Sequence, residues 1–239
     1  MEEFIYGKNA VREALSADEE INKIFVQKDA RVSGLTELVN AAIDKKIVVS
    51  KVDKRKLDDI TEGGNHQGIV AMISPYKYLE VEDLVAGVAH PLLMILDSVQ
   101  DPHNLGAILR TAYAAGVDGV IIPKRRSASV NGTVVKASGG YALKIPIARV
   151  TNLAKTIDYL KDKNIFIAGA DAEGKSSLFT SDFKGSMALV VGNEGEGLTR
   201  LVREKCDFLI AIPMKNAVDS LNVSVAASLM IYEALRQRG

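Results

Sequence analysis

The stretch "PLLMILDSVQDPHNLGAILRTAYAAGVDGVIIP", Pro91 to Pro123, decides the fold. It opens on the run "LLMILDSV", Leu92 to Val99, which reads as a buried strand. Pro102 and Asn104 then suit a helix start, and Gly116 suits its end. Between them Leu105, Ile108, Leu109 and Ala112 share one helical face. A second apolar run, "GVIIP", follows. A strand, a helix and another strand in this order make a βαβ unit, whose two strands lie parallel.

Downstream the pattern repeats. The runs "KIPIARV", "IFIAGA", "ALVVGN" and "FLIAIP" read as further strands. Helices are expected near 104–115, 131–138, 152–163, 197–205 and 222–237. Apolar strands alternating with helices predict an α/β fold with a mostly parallel sheet covered on both faces. Ligands on such sheets bind beyond the carboxyl ends of the strands. The informative loops therefore follow Asp97, Val191 and Ile212.

Upstream, residues 1–73 read as a separate small α/β unit. "GKNAVREALSAD" suggests a short helix, "INKIFVQK" a strand and "GLTELVNAAIDKK" a helix, followed by strands "KIVVSKV" and "QGIVAMIS". Residues 74–90 contain Pro75, two tyrosines and an acidic patch without clear periodicity, and read as a connector. The expected domains are thus 1–73, a linker at 74–90, and 91–239.

Composition narrows the chemistry. Lys+Arg and Asp+Glu balance at 30 each, so any basic surface is local; Lys124, Arg125 and Arg126 form one candidate. The single cysteine, Cys206, excludes an internal disulfide and a cysteine-based zinc site, and the three histidines supply no H-x-x-x-H pair. No metal is expected. The amino-terminal "MEEFIYGKNAV" has no signal-peptide pattern, and no apolar run approaches membrane-spanning length. A cytoplasmic protein that makes no membrane contact is the expectation.

Two glycine-rich stretches invite phosphate-binding readings. "GADAEGKS", Gly169 to Ser176, fits the P-loop pattern of an NTPase letter for letter. That chemistry needs a helix directly after the lysine, and "SSLFTSDFKG" leaves little room for one. A surface turn at Gly174 and Lys175 is the expectation. "GNEGEG", Gly192 to Gly197, lacks the last glycine of a dinucleotide fingerprint, since Arg200 occupies that place. Its glycines still permit close approach of backbone to a ligand.

The third loop leads into a helix. Asp219 and Ser220 suit a helix cap. Val223, Val225, Ala226, Ala227, Leu229, Met230 and Ile231 then make the helix apolar on nearly every side. Such a helix is expected to be buried against its own sheet on one side and a partner subunit on the other.

Taken together, "DPHNLGAILRTA", "VVGNEGEGL" and "IPMKNAVDSLNVSVAASLMIYEALRQR" resemble the three motifs of the SpoU/TrmH branch of the SPOUT methyltransferases, in the right order. "RRSASVNGTVVKASGG" is similar as well. The amino half, with "IYGKNAVREAL" and "HQGIVA", resembles that family's L30e/L7Ae-type RNA-binding extension, which points to the subgroup acting on large-subunit ribosomal RNA.

The resemblance implies several things. The carboxyl domain would form a deep trefoil knot. The reaction would move a methyl group from S-adenosyl-L-methionine to a ribose 2′-hydroxyl of RNA, with a guanosine of 23S ribosomal RNA as the implied target. Gly192, Ile212 and Leu221 would hold the cofactor, largely through backbone groups. Arg110 would take the principal catalytic part, with Asn104, Glu194, Ser220 and Asn222 orienting it, the loops or the ribose. Arginine is a poor base because its pKa exceeds about 12. A positioning and electrostatic role for Arg110 is as consistent with the physics as proton removal. Arg110 would act on cofactor held by the other subunit of a homodimer. A transfer RNA substrate and a non-enzymatic ribosome-assembly role remain open as alternatives. At Asn216 the family often has glycine; asparagine tolerates left-handed geometry, so the loop is expected to survive.

Overall fold

The computed structural model describes residues 3–17, 21–28, 34–74, 76–193, 195–216, 218 and 220–239. In chain order its elements are β1 (Glu3–Tyr6), α1 (Lys8–Ser16), β2 (Ile21–Gln27), α2 (Leu35–Asp44), β3 (Val48–Val52), α3 (Lys54–Ile60), β4 (Ile69–Ile73), α4 (Val81–Val85), β5 (Leu92–Leu96), α5 (Pro102–Ala114), β6 (Gly119–Pro123), α6 (Gly132–Ala137), β7 (Ile147–Val150), α7 (Leu153–Asp162), β8 (Phe166–Ala170), β9 (Ser176–Ser177), β10 (Met187–Val191), α8 (Arg200–Lys205), β11 (Phe208–Ala211) and α9 (Val223–Arg238). They divide into two compact units: Met1–Lys77 with Val130–Lys144, and Tyr78–Ser129 with Ile145–Gly239.

The first unit is built on a four-stranded sheet in the order β1-β4-β2-β3. β4 runs antiparallel to both neighbours, while β2 and β3 are parallel and joined through α2. Strand β1 is an addition to the elements expected from the sequence. Residues 130–144 pack into this unit although chain order sets them between β6 and β7. A Cβ on Gly132 would collide with the carbonyl of Phe4, so glycine is what lets α6 lie against β1. Lys136 Nζ lies 4.3 Å from the centre of the Tyr6 ring and donates to Asn65 O at 2.6 Å. Lys144 pairs with Glu13 at 2.5 Å.

The second unit holds a seven-stranded sheet in the order β7-β6-β5-β10-β8-β11-β9, parallel at every pairing. The α/β class with a parallel sheet is therefore as expected, and the short edge strand β9 is an addition. Every residue of β5 and β10 is buried, which requires cover on both faces. Leu93, Ile95, Ala188 and Val190 belong to one core with residues of α4, α7 and α8. The alternate residues Met94 and Leu189 are fully buried on the side where α5 and α9 pack.

Three details refine the sequence reading. The stretch expected as a featureless connector contains α4, started by a capping box in which Glu80 and Asp83 each bind the other's backbone N–H. Helix α9 is buried along one stripe only; Val225, Leu229 and Tyr232 are 46%, 37% and 51% exposed, because no second layer lies over them in the single chain. Asn216 is not among the residues with positive φ, so the turn there does not use the left-handed geometry.

Candidate active site

The carboxyl ends of β8, β10 and β11 open onto one cavity of about 520 Å³. Its wall includes Gly192, Ile212, Ser220 and Leu221, four residues drawn from two motifs some twenty positions apart. Val191, Leu198, Ile210, Met214, Val223 and Ala226 make it largely apolar. The glycine at the head of the second motif is forced by packing. A Cβ on Gly192 would overlap the carbonyl group of Gly197, which crosses directly over it. Gly197 itself has φ 67°, where a glycine is favoured.

The loop from 193 to 197 is pinned upon itself. Asn193 N donates to Gly197 O at 3.0 Å and Gly197 N returns to Asn193 O at 2.9 Å. Asn193 Oδ1 also accepts from Gly195 N at 2.9 Å. Two further bonds tie this loop to the one after β5. Asn193 Nδ2 donates to Ser98 O at 3.1 Å, with Ser98 held at φ 67°. Asp97, buried, accepts from Thr199 N at 2.7 Å and from Ser98 Oγ at 3.3 Å. Glu194 lies outside the described residues, as does Asp219.

Helix α5 begins beside α9. Asp101 caps it by accepting from His103 N at 3.0 Å, and Pro102 occupies its first turn. Asn222 caps α9 by accepting from Ser224 N at 2.9 Å and donates through Nδ2 to Asn104 Oδ1 at 3.2 Å. The first and third motifs thus meet at their helix starts. Farther along, Ser228 Oγ donates to Thr111 Oγ1 at 3.3 Å. Arg110 is exposed on α5 and does not line the cavity, and its guanidinium has no hydrogen bond or ion pair among the described residues. Of the residues singled out from sequence, four line the cavity, Asn104 and Asn222 join at the helix starts, and Arg110 stands apart on the outer face of α5.

The loop after β8 also lines the cavity, a role the sequence reading did not give it. Asp171, Glu173 and Arg203 lie in the wall. Arg203 Nε donates to Asp171 Oδ2 at 2.6 Å. Burial disfavours the charged form of Asp171, but this bond and the one from Glu173 N outweigh it and hold the carboxyl below the usual range. No helix follows Lys175. The chain enters β9 and then a single 3₁₀ turn, and a Cβ on Gly174 would press on the backbone of β11 at 2.7 Å. The P-loop reading is thereby excluded. Burial, then the charge of Asp207, pushes the Cys206 thiol up to about 12, so it is no nucleophile at neutral pH. Among the described residues no group of histidine, cysteine and carboxylate side chains could hold a metal ion, and no helix is long and apolar enough to cross a membrane.

Comparison with known proteins places this arrangement. Residues 91–232 match the SpoU rRNA Methylase family, and residues 4–79 match the RNA 2′-O ribose methyltransferase substrate binding family. A protein of Staphylococcus aureus (strain COL) named for the TrmH family of tRNA/rRNA methyltransferases is 48% identical over 238 residues, covering 98% of this chain and 96% of that one. The crystal structure of an AdoMet-bound rRNA methyltransferase from Sinorhizobium meliloti superposes with a TM-score of 0.82 at 26% identity, covering 98% of this chain and 87% of that chain. A structure described for 2-OH methylation of C/U34 on tRNA superposes with a TM-score of 0.57 at 26% identity, covering 63% of this chain and 97% of that one. Fold and site together define an RNA-modifying transferase, one that methylates ribose 2′-hydroxyls. The chain belongs to the SpoU rRNA methylase family.

Proposed function

We propose that this protein transfers a methyl group from S-adenosyl-L-methionine to the 2′-hydroxyl of a guanosine in 23S ribosomal RNA, acting as a homodimer. The observation that carries the reading is the cavity at the ends of β8, β10 and β11, walled by Gly192, Ile212, Ser220 and Leu221. Its apolar side chains suit a nucleobase, and the close crossing of Gly192 and Gly197 brings bare backbone to its surface. The residues present thus fit the cofactor, with Gly192, Ile212 and Leu221 as its holders. When bound, it supplies an activated methyl on a sulfonium. The threading of the carboxyl unit as a deep trefoil knot belongs to the same reading.

The protein's task is then to hold the ribose in line and manage its proton. Arg110 is exposed on α5, and its guanidinium offers hydrogen-bond donors but no acceptor. It serves as a cationic donor that positions the ribose and stabilises charge on the 2′-oxygen as the hydroxyl proton leaves. The Asn104–Asn222 bond fixes the start of α5 and so the helix that presents Arg110. Ser220 and Glu194 orient the loops around the reacting centre.

Dimerisation is supported by the bare stripe Val225, Leu229 and Tyr232 on α9, together with Tyr113 on α5, which is 40% exposed. Arg110 sits three residues before Tyr113 on that same helix side. A partner covering the stripe would bring Arg110 to its own cavity. For the substrate, the match of 4–79 to a substrate-binding family supports residues 1–73 as RNA-binding and 91–239 as methylating, although α4 of the expected connector 74–90 belongs to the second unit and residues 130–144 to the first. The tRNA-acting structure spans too little of this chain to include both units, whereas the rRNA methyltransferase spans 98% of it. Lys124, Arg125 and Arg126 would meet phosphate.

The test is to incubate unmodified 23S ribosomal RNA with enzyme and cofactor and to map 2′-O-methyl sites. Methylation at one guanosine, lost in Arg110→Ala while calorimetric cofactor binding persists, is expected. Modification of transfer RNA instead would refute the substrate, and full activity of the variant would remove Arg110 from catalysis.

A further inference from the structure

The loop after β8 carries a charged arrangement that the reading above leaves unused. Asp171 ends the strand in the cavity wall with its side chain only 14% exposed. It is locked from several directions. Arg203 Nε donates to Oδ2 at 2.6 Å, Arg203 Nη2 donates to Oδ1 at 3.3 Å, and Glu173 N donates to Oδ1 at 2.9 Å. Arg203 Nη2 also reaches Glu173 Oε2 at 3.0 Å. The backbone is tied as well, with Asp171 N donating to Ile210 O at 2.9 Å and Gly174 N to Asp171 O at 3.0 Å.

A carboxylate offers about four acceptor positions, and the three side-chain bonds leave Oδ2 with room for another donor. Because Arg203 offsets its charge, the pair presents a fixed hydrogen-bond acceptor to the cavity, not a bare anion. Such an acceptor suits hydroxyl groups, as carboxylates serve ribose in other nucleotide sites. Sheet order sets the distance. β8 is separated from β5 by β10, so Asp171 lies about 10 Å across the sheet from the strand end that leads into α5. Whatever meets Asp171 is therefore remote from the groups placed at the reacting end. A free amino-acid carboxylate at that point would face Asp171, Glu173 and Glu196 together, all in the cavity lining. An uncharged diol would not.

We propose that Asp171, held in place by Arg203, is the acceptor for the cofactor's ribose hydroxyls and makes this end of the cavity a nucleoside-recognition subsite. The inference rests on the reading that the cavity holds S-adenosyl-L-methionine. Asp171 is then a binding residue, and Arg203 is a positioning residue that acts through it.

The test is calorimetric and needs no turnover. S-adenosylhomocysteine and its 2′,3′-dideoxyribose counterpart are titrated into the wild-type protein and into Asp171→Asn and Asp171→Ala, each checked for folding by its thermal transition. Wild type is expected to bind the dideoxy compound roughly 10- to 100-fold more weakly, as for lost hydrogen bonds to a charged acceptor. The variants should bind S-adenosylhomocysteine more weakly and discriminate between the two by less than about threefold. Arg203→Gln should lie between. Equal discrimination in wild type and variants would overturn the proposal, and the wild-type comparison alone would do so if the hydroxyls proved worthless. A selective loss with the desamino analogue would put the amino-acid end at Asp171 and overturn it too. If wild type bound neither compound, the cofactor reading itself would fall.

Discussion

If Arg110 serves a cavity on the partner, two inactive chains should repair one another. One chain carries Arg110→Ala and the other Leu221→Arg. Arg110 is exposed and its guanidinium has no bonded partner among the described residues, so its loss should change stability by less than about 0.5 kcal/mol. Removing a transition-state donor costs about 3 kcal/mol, or some hundredfold in rate. Leu221 lines the cavity, and arginine there overfills it; about 3 kcal/mol of lost cofactor affinity is roughly a hundredfold weaker binding. Each homodimer is then nearly inactive. Co-expression with two different tags and sequential affinity purification isolates the hybrid. By two-fold symmetry, one site of the hybrid has Arg110 from one chain over an intact cavity of the other, and the second site has neither. Methyl transfer, measured with tritiated cofactor on 23S RNA, should therefore return to about half the wild-type rate per dimer. If Arg110 served its own chain's cavity, each site would carry one defect and the hybrid would stay as inactive as its parents. That outcome would refute the shared site.

Gly192→Ala should weaken cofactor binding and lower stability by about 1–3 kcal/mol, because its Cβ has no space beneath the Gly197 carbonyl; calorimetry and thermal melting report both. Asp97→Ala should cost about 2 kcal/mol, and several degrees of melting temperature, by freeing Thr199 N and the Ser98 turn, with cofactor affinity falling in parallel. Glu233 gives a pH signature. Hydrogen bonds from Arg236, then from Gln237, bring its carboxyl down to about 2. An unfolded glutamate titrates near pH 4.3, above the folded value, so the stabilisation is complete above that pH and is lost as pH falls toward 2. Acid unfolding of Glu233→Gln should lack this component between about pH 4 and 2; an unchanged acid limb would disprove it.

The parallel sheet was legible because its strands are unbroken apolar runs, as in Leu92–Leu96 and Met187–Val191, and burial on both faces demands that pattern. The cavity was legible where backbone geometry restricts residue choice, as at Gly192. Asp171 and Arg203 were not, because an ion pair joining residues thirty-two apart leaves no local spacing to read, and the surrounding "GADAEGKS" matched a different pattern. Asp97 looked like a strand end; only the fold brings Thr199 to it. Helix α4 is five residues long, too short for periodicity to register. The placement of 130–144 in the first unit was equally hidden, since it depends on Gly132 admitting Phe4 and not on chain order.

Strand β10 pairs with β5 on one side and β8 on the other, though both precede it in the chain. A refolding chain that has formed β5 and β8 must leave a slot between them with two bare edges until β10 arrives. Such edges are templates for wrong pairing, and closing a gap from far along the chain is slow. Refolding yield should therefore fall steeply with protein concentration while the slot stands open.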